Sequence, residues 1–272
     1  MTIDLQPKTA PLSDLLDLRG RTAIVTGGAM GIGRAIGARL HEAGAAVVIA
    51  DLDTSEATEA AAELEDERAG SAIAVGVDVG DPDAVERVVR TTVATFGGVD
   101  ILINNAGIYP VVPLREMDWA TFRRVLEVNL GGVFLFTKLV AEHMIGQGRG
   151  GRIVNVTSVD ALHPSMIGLA HYDASKHGVW GFTKNVALEL AEHRIWVNAL
   201  APGAIATPGT GFGDHGASNV PADALEQTVA RIPMHRMGDA DEMARCALFL
   251  ASDMAGYMTG SQLVADGGLL LR

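Results

Sequence analysis

The chain has 272 residues, 48% hydrophobic and 20% charged, with a net charge of −12 and a single cysteine, Cys246. A chain of this length buries a sizeable core, and α/β folds of this size are commonly one domain. The acidic balance leaves no basic footprint for nucleic acid, the lone cysteine excludes a disulfide framework within the chain and suits a reducing cytoplasm, and no apolar run approaches the ~20 residues that span a bilayer.

Residues 1–20, MTIDLQPKTAPLSDLLDLRG, lack the basic start and apolar block of a secretion signal. Residues 1–17 read as an arm, which Leu12, Leu15, Leu16 and Leu18 dock on the body or on a neighbouring subunit, and residues 18–272 as one domain. Short β-branched runs then alternate with amphipathic stretches. The strand candidates are TAIVT (22–26), AVVIA (46–50), AIAVGV (72–77), DILIN (100–104), RIVNVTS (152–158), IWVNAL (195–200) and QLVAD (262–266). Helical periodicity occupies 32–43, 55–69, 82–96, 118–145, 172–192 and 240–252; in the first of these Ile32, Ile36 and Leu40 recur every fourth residue. Strands apolar on both faces that alternate with helices predict an α/β, doubly wound fold of about seven parallel strands with helices on both faces. Cys246 falls in the apolar pattern MARCALFLAS and is expected to pack rather than react. Residues 203–221, GAIATPGTGFGDHGASNVP, hold five glycines and no period, and read as part of a substrate lid over about 203–234.

Between the first strand and helix lies TGGAMGIGR (26–34), with Gly27, Gly31 and Gly33 spaced as G-x-x-x-G-x-G and Gly28 in addition. Such a turn brings backbone close to a pyrophosphate and aims helix N–H groups at its charge; no G-K-[ST] follows, so it is not a P-loop. Asp51 closes the second strand, 18 residues after Gly33. A carboxylate there accepts hydrogen bonds from both adenosine ribose hydroxyls and repels a 2′-phosphate, while Asp53, Thr54 and Ser55 are the better caps for the next helix. Met30 and Leu52 stand where an arginine would hold that phosphate, so the expected cofactor is NAD. Farther along, HYDASKHG (171–178) places Tyr172 and Lys176 on one helix face, one turn apart. By spacing alone this is either a core aromatic beside a surface lysine or a proton donor beside its activator.

Taken together and in order, these pieces resemble the short-chain dehydrogenase/reductase family over about residues 18–268. TGGAMGIG and Asp51 match its dinucleotide site, with Met30, Ile32 and Leu52 among the contacts. Asp78 and Val79 match the pair flanking adenine, and Asn104, Asn105, Ala106 and Gly107 its NNAG motif. Asn129 in EVNLGG matches the active-site asparagine, Ser158 the serine, and Tyr172 with Lys176 the Y-x-x-x-K pair. Pro202 and Gly203, with Ile205 and Thr207, match the segment beside the nicotinamide, and YMTGSQLVADGG the family's ending. One spacing departs: Ser158 and Tyr172 are 14 residues apart where the family has 13, an insertion within the pocket-lining VDALHPSMIGLAH. Thr157 is no substitute for Ser158, because strand alternation turns it to the other face.

The resemblance implies a Rossmann-type fold and hydride transfer between NAD and a secondary alcohol or ketone, with Asn129, Ser158, Tyr172 and Lys176 as catalytic set. Tyr172 exchanges the hydroxyl proton, and its pKa of about 10 must fall by about three units, roughly 4 kcal/mol of phenolate stabilisation. Lys176 supplies charge and a bond to the nicotinamide ribose, Ser158 steadies the substrate oxygen, and Asn129 holds a water in a proton relay. Asp160 is placed either to bind a substrate hydroxyl or to cap its loop, His163 adds a second polar group, and His171 either shapes the pocket edge or opens a solvated helix. Tyr109 and Trp119 read as packing. No metal is expected, since the histidines lack ligand spacing. The polar lid and these groups point to a small polyol, sugar or hydroxylated ring, and the family's helix pairing to a homotetramer. Rival readings are a 3-ketoacyl thioester reductase, opposed by Asp51 and by Leu188 where an arginine is expected, and a non-catalytic NAD(H)-sensing protein, opposed by the presence of both Tyr172 and Lys176. A sugar-nucleotide epimerase needs a longer C-terminal substrate region.

Overall fold

A computed structural model describes residues 9–164, 166–208 and 222–271. The strand candidates all form: β1 (Thr22–Thr26), β2 (Ala46–Asp51), β3 (Ala72–Gly76), β4 (Ile101–Asn104), β5 (Gly151–Val156), β6 (Ile195–Pro202) and, with two short later strands between, β9 (Gln262–Ala265). They make one parallel sheet in the order β3-β2-β1-β4-β5-β6-β9. The order reverses between β1 and β4, and a crevice at that switch point, at the carboxyl ends of the strands, is where such sheets take ligands.

Parallel strands need crossover helices, and several of these open on a capping aspartate. After a short α1 (Leu12–Leu15), α2 (Gly31–Glu42) follows the glycine turn. Asp53 caps α3 (Thr54–Glu67) by accepting from Ser55 N and Glu56 N at 3.0 and 3.1 Å. Asp81 caps α4 (Pro82–Phe96), whose proline occupies the first turn, and Gly97 ends it at φ 81°. Asp118 caps α5 (Trp119–Leu126), and α6 (Gly132–Gln147) ends at Gly148 with φ 70°. The longest helix, α7, runs Ala170–Leu190. Helix α8 (Ala222–Arg231) precedes α9 (Ala240–Ala251), which opens with a capping box of Asp239 and Glu242.

Helices cover both faces, so the strands are buried on both. Ala23, Val25, Val47 and Ile49 pack with Ile36 and Leu40 of α2 and Met243, Ala247 and Leu250 of α9, whereas Ile24, Val48, Leu102 and Ile153 pack with Val85 and Val88 of α4 and Phe136 and Val140 of α6. This is the alternation of side chains along a strand feeding two separate cores. In the N-terminal region Leu18 is buried and its N–H donates to Ala43 O at 2.8 Å, while Leu12 is exposed.

Three expectations change. The single helix expected over 118–145 is interrupted by a π-helical turn, Glu127–Gly131, because the chain inserts there around Asn129. The strand expected over 152–158 ends at Val156, so Thr157 and Ser158 leave the sheet. The aperiodic segment after β6 contains β7 (Ile205–Ala206), paired in parallel with β8 (Gly238–Asp239). Residues 209–221 of the lid segment, including Phe212, lie outside the described residues. Among the described residues no helix is long and apolar enough to cross a membrane.

Candidate active site

At the end of β1, Gly27 and Gly31 adopt φ values of 61° and 55°, a conformation side chains disfavour. Space is closed as well as backbone: a Cβ on Gly33 would collide with Gly27 O and lie 2.6 Å from Asn105 Nδ2. Met30, the N-cap residue of α2, gives no side-chain cap. The first N–H groups of α2 therefore have no side-chain acceptor at the cap, which suits an anionic pyrophosphate. Asn105 fastens the turn from the next strand, its Nδ2 donating to Thr26 O and Gly27 O at 3.0 and 2.9 Å, while the N–H groups of Asn105 and Ala106 donate to Thr26 Oγ1. Ile32 is half-buried at the start of α2, and Thr207 packs its side chain on Gly31.

Asp51 is held by two backbone donors, Ala29 N to Oδ2 at 3.0 Å and Asp53 N to Oδ1 at 3.1 Å. Each oxygen keeps a further lone pair for a ligand hydroxyl. Met30 and Leu52, 44% and 69% exposed, flank it without charge. Asp78 lies past β3. Burial pushes its carboxyl up, but the Gly80 N–H and the Arg124 guanidinium outweigh burial and leave it below the usual range. Val79 beside it is buried against Gly132. These residues fit a dinucleotide: a glycine-rich turn, a helix start without a side-chain cap, and an acid held by two backbone donors.

The second group converges beyond β4 and β5. Asn129, fully buried in the π-helical turn, accepts from Ile108 N at 2.8 Å and donates to Ile108 O at 2.9 Å and Ser175 Oγ at 3.1 Å. It therefore ties the chain after Gly107 to α7. A Cβ on Gly107 would stand 3.3 Å from Asn129 Oδ1 and 3.6 Å from Lys176 Nζ, so this glycine lets both side chains approach. Lys176 is 4% exposed; its Nζ donates to Val156 O at 2.8 Å and lies 5.6 Å from the centroid of the Tyr172 ring. Burial lowers its pKa to about 8, with Asp160 opposing that shift. Desolvation pushes the Tyr172 phenol above its usual range, while a hydrogen bond from Ser158 pulls it down. In the chain alone, then, Tyr172 stands high rather than near neutrality, because its desolvation outweighs the bond from Ser158.

The remaining candidates divide. Ser158 and Asp160 are both buried on the 3-10 turn that follows β5, and Asp160 N donates to Ser158 Oγ at 3.1 Å. Thr157 points into the sheet and bonds Leu200 O at 3.0 Å. His163 is exposed, with Nδ1 2.9 Å from Pro164 O, so its ring is engaged by its own turn. At the start of α7 His171 itself is completely buried, and its Nδ1 accepts from Tyr172 N at 2.8 Å. Tyr109 and Trp119 are not packed away. Tyr109 is 39% exposed and meets the Tyr172 ring edge-on, with centroids 5.8 Å apart, and Trp119 is 71% exposed, stacked on Phe122. Pro202, Gly203 and Ile205 lie at the end of β6 and start of β7, with Gly203 against the backbone of Asp266. Cys246 is half-buried, and desolvation holds its thiol up.

Comparison with known proteins bears on this arrangement. A sequence model of the family described as enoyl-(acyl carrier protein) reductase matches residues 27–270. The chain is 38% identical to L-rhamnose 1-dehydrogenase (NAD(P)(+)) of Azotobacter vinelandii, over 92% of this chain and 97% of that one. It is 40% identical to the 3-oxoacyl-[acyl-carrier-protein] reductase FabG of Thermotoga maritima, over 93% and 99%. A crystal structure of a short-chain type dehydrogenase/reductase from Mycobacterium marinum superposes with a TM-score of 0.89 at 35% identity, over 95% of this chain and 99% of that one. The chain belongs to the short-chain dehydrogenase/reductase family.

As a short-chain dehydrogenase/reductase it is an oxidoreductase whose family uses a nicotinamide cofactor. Beneath its site runs a polar seam that sequence periodicity did not reveal. Asn104 Nδ2 donates to Thr137 Oγ1 and Asn155 Oδ1, and Asn155 Nδ2 donates to Thr183 Oγ1, linking β4 and β5 to α6 and α7. The signal was present as asparagines inside apolar strands, residues that are buried only when bonded.

Proposed function

We propose that the chain is an NAD-dependent dehydrogenase that interconverts a small secondary alcohol and its ketone, acting on a polyol, sugar or hydroxylated ring. The observation that carries this reading is the buried Lys176 beneath Tyr172, with Ser158 bonded to the phenol. When bound, the nicotinamide supplies the hydride acceptor or donor. Gly27, Met30, Gly31, Ile32 and Gly33 receive the pyrophosphate, Asp51 and Leu52 the adenosine ribose, and Asp78 and Val79 the adenine. Asn105, Ala106 and Gly107, with Pro202, Gly203, Ile205 and Thr207, line the nicotinamide end. Ser158 donates to the substrate oxygen, and Tyr172 takes the hydroxyl proton in oxidation or returns it in reduction. Lys176 steadies the phenolate by its charge, and Asn129 holds the loop and a water path for the proton. Asp160 accepts from a substrate hydroxyl; His163 keeps its place only as a rim group.

Preference for NAD rests on Asp51, fixed by two N–H groups beside the uncharged Met30 and Leu52. Residues 18–272 act as one domain behind the arm at 1–17. Exposed apolar side chains on α5, α6 and α7 — Trp119, Phe134, Ile145 and Leu188 — support a homotetramer, and the lone Cys246 suits the cytoplasm. The similarity to a ketoacyl reductase favours a second reading, 3-ketoacyl thioester reduction. The exposed Leu188, which offers an acidic carrier no charge, weighs against it.

The test is NAD and NADP reduction with a panel of polyols, aldoses including L-rhamnose, steroids and alkanols, set beside NADPH-linked reduction of a ketoacyl thioester. Turnover of a polyol or sugar that falls by more than about a hundredfold in Tyr172→Phe, with NADH binding retained, is expected. Steroids or alkanols turned over about a hundredfold better than every polyol and sugar would mean an apolar pocket and the wrong substrate class.

A further inference from the structure

We propose that His171 is a positioning residue of the proton-transfer step: its imidazole holds the backbone N–H of Tyr172 and thereby sets where the phenol stands. This deepens the dehydrogenase reading and rests on it. The connection that brings Tyr172 to Ser158 fixes little by itself. Residues 162–169, between the 3-10 turn Val159–Ala161 and α7, contain no helix or strand among the described residues, and Leu162, Met166 and Ile167 are exposed. The chain is gripped only at its end, where Val112 N donates to Gly168 O at 3.0 Å and Leu169 is buried. Leu169 stands at the N-cap of α7, and its side chain offers no acceptor there. The first turn of a helix leaves N–H groups without intrahelical partners. Asp173 N reaches Leu169 O at 2.8 Å, but Gly168 O, four residues before Tyr172, accepts from Val112 N. Tyr172 N donates to His171 Nδ1 at 2.8 Å instead.

The other end of the same residue is held as well. Tyr172 O accepts from Ser175 Oγ at 2.6 Å, and Ser175 Oγ accepts in turn from Asn129 Nδ2 at 3.1 Å. Both main-chain groups of Tyr172 are therefore tied by side chains. The phenol oxygen lies at the far end of the ring from these ties. A tilt of about 10° at the backbone moves it by roughly 1 Å, and a misplacement of that size costs on the order of a hundredfold in rate. The chemistry of the ring also argues for this role. A neutral imidazole that accepts at Nδ1 carries its proton on Nε2. That Nε2 is buried and has no hydrogen-bond partner among the described residues. An apolar ring of similar size would fill the space without burying an unpaired donor of its own. Packing alone thus gives no reason for a histidine here, whereas the acceptor facing Tyr172 N does.

The test sets His171→Phe, His171→Gln and His171→Asn beside wild type in the full chain, with NAD and whichever of L-rhamnose, cyclohexane-1,2-diol and butane-2,3-diol wild type turns over best. Phenylalanine keeps the ring without an acceptor, and glutamine carries its acceptor one bond too far out. Asparagine Oδ1 stands as many bonds from the backbone as Nδ1 does. The phenylalanine and glutamine variants should lose kcat by about ten- to a hundredfold while Kd for NADH stays within about twofold of wild type. Asparagine should restore kcat to within about threefold of wild type. His171→Phe exchanges one unpaired buried donor, Nε2–H, for another, Tyr172 N–H, so its melting temperature should stay within about 3 °C of wild type. Amide hydrogen exchange at Tyr172 should be slow in wild type and asparagine, and faster by about tenfold or more in the other two. If the phenylalanine variant does not fold, glutamine and asparagine decide alone by the same kcat ratio. Undiminished kcat in the variants without an acceptor overturns the positioning role and leaves the dehydrogenase reading standing. So does a loss that asparagine fails to restore, or one matched in all three variants by lost NADH binding and a lowered melt. No turnover of any of these probes, or of any other polyol or sugar, by wild type overturns both.

Discussion

Around the glycine turn the candidate site is shaped by side chains that are absent, and around Tyr172 by side chains that are buried at an energetic disadvantage. A Cβ on Gly27 would approach Ala106 Cα to 2.8 Å, and one on Gly33 would strike Gly27 O, so the tight turn exists because backbone lies against backbone. At the other corner Asn129, Ser158 and Lys176 are all at most 8% exposed, and each polar group is held by a named partner. The first region is sterically unforgiving but electrostatically quiet. The second keeps a cation out of water. One region should therefore respond to added volume and the other to removed charge.

The largest effect should come from breaking the first region by volume. Gly33→Ala puts a methyl group into Gly27 O and within 2.6 Å of Asn105 Nδ2, and both belong to the structure that positions the turn. Overpacking of this kind costs about 3 kcal/mol when the neighbour is backbone that cannot rotate away. Thermal melting should drop accordingly, and NADH fluorescence titration should detect no binding at concentrations that saturate wild type. A variant that binds NADH normally would mean that the turn is loose.

The second region should respond with the opposite sign. Lys176 has its pKa lowered by burial from 10.5 to about 8, so the unfolded chain holds this proton more tightly than the folded one. At pH values below about 8 the buried charge costs roughly 3 kcal/mol, and that cost fades as pH rises toward the unfolded value. Lys176→Met removes the charge but leaves Val156 O without its donor, which returns about 1–2 kcal/mol of the gain. The cofactor-free variant should therefore be more stable than wild type by about 1–2 kcal/mol at pH 7 while losing turnover. Chemical denaturation at several pH values checks this, since the variant's advantage must shrink between pH 8 and 10.5. An advantage independent of pH would mean that Lys176 is not a buried cation.

The same contrast governs what could be read from the sequence. The strands, the crossover helices and the glycine turn were legible because they depend on apolar period and on glycine, both local. Asp51 was legible because it ends a strand at a fixed distance from the turn. The π-helical turn at Asn129 was not, since the helical period of 118–145 runs smoothly across it and only the three-dimensional contact with Ile108 and Ser175 requires the insertion. The exposure of Tyr109 and the burial of His171 were likewise invisible, because each depends on how the segments after β4 and β5 meet at α7. His163 was expected beside the substrate by its proximity in sequence to Ser158; the turn at Val159–Ala161 instead carries it to the surface.

The remaining test lies at Asp51, where the two regions' rules meet in one residue: a charge, but one exposed enough to be screened. Its carboxylate is oriented by Ala29 N and Asp53 N, so Asp51→Ala removes both the acceptors for ribose hydroxyls and the repulsion toward a 2′-phosphate. The lost hydrogen bonds to a charged acceptor should raise the NAD Michaelis constant by about 1.5–3 kcal/mol, roughly ten- to a hundredfold. NADP should gain by less, because removing repulsion supplies no cation: Met30 and Leu52 still offer none, and Arg34 is already paired to Glu63 at 2.6 Å. The preference for NAD should therefore narrow without inverting. Steady-state kinetics with both cofactors measures the two constants separately. If wild type already uses NADP the more efficiently, the reading of Asp51 as the selecting charge is wrong; if Asp51→Ala inverts the preference, a cation elsewhere along the groove reaches the phosphate, and Arg34 released from Glu63 is the first to examine.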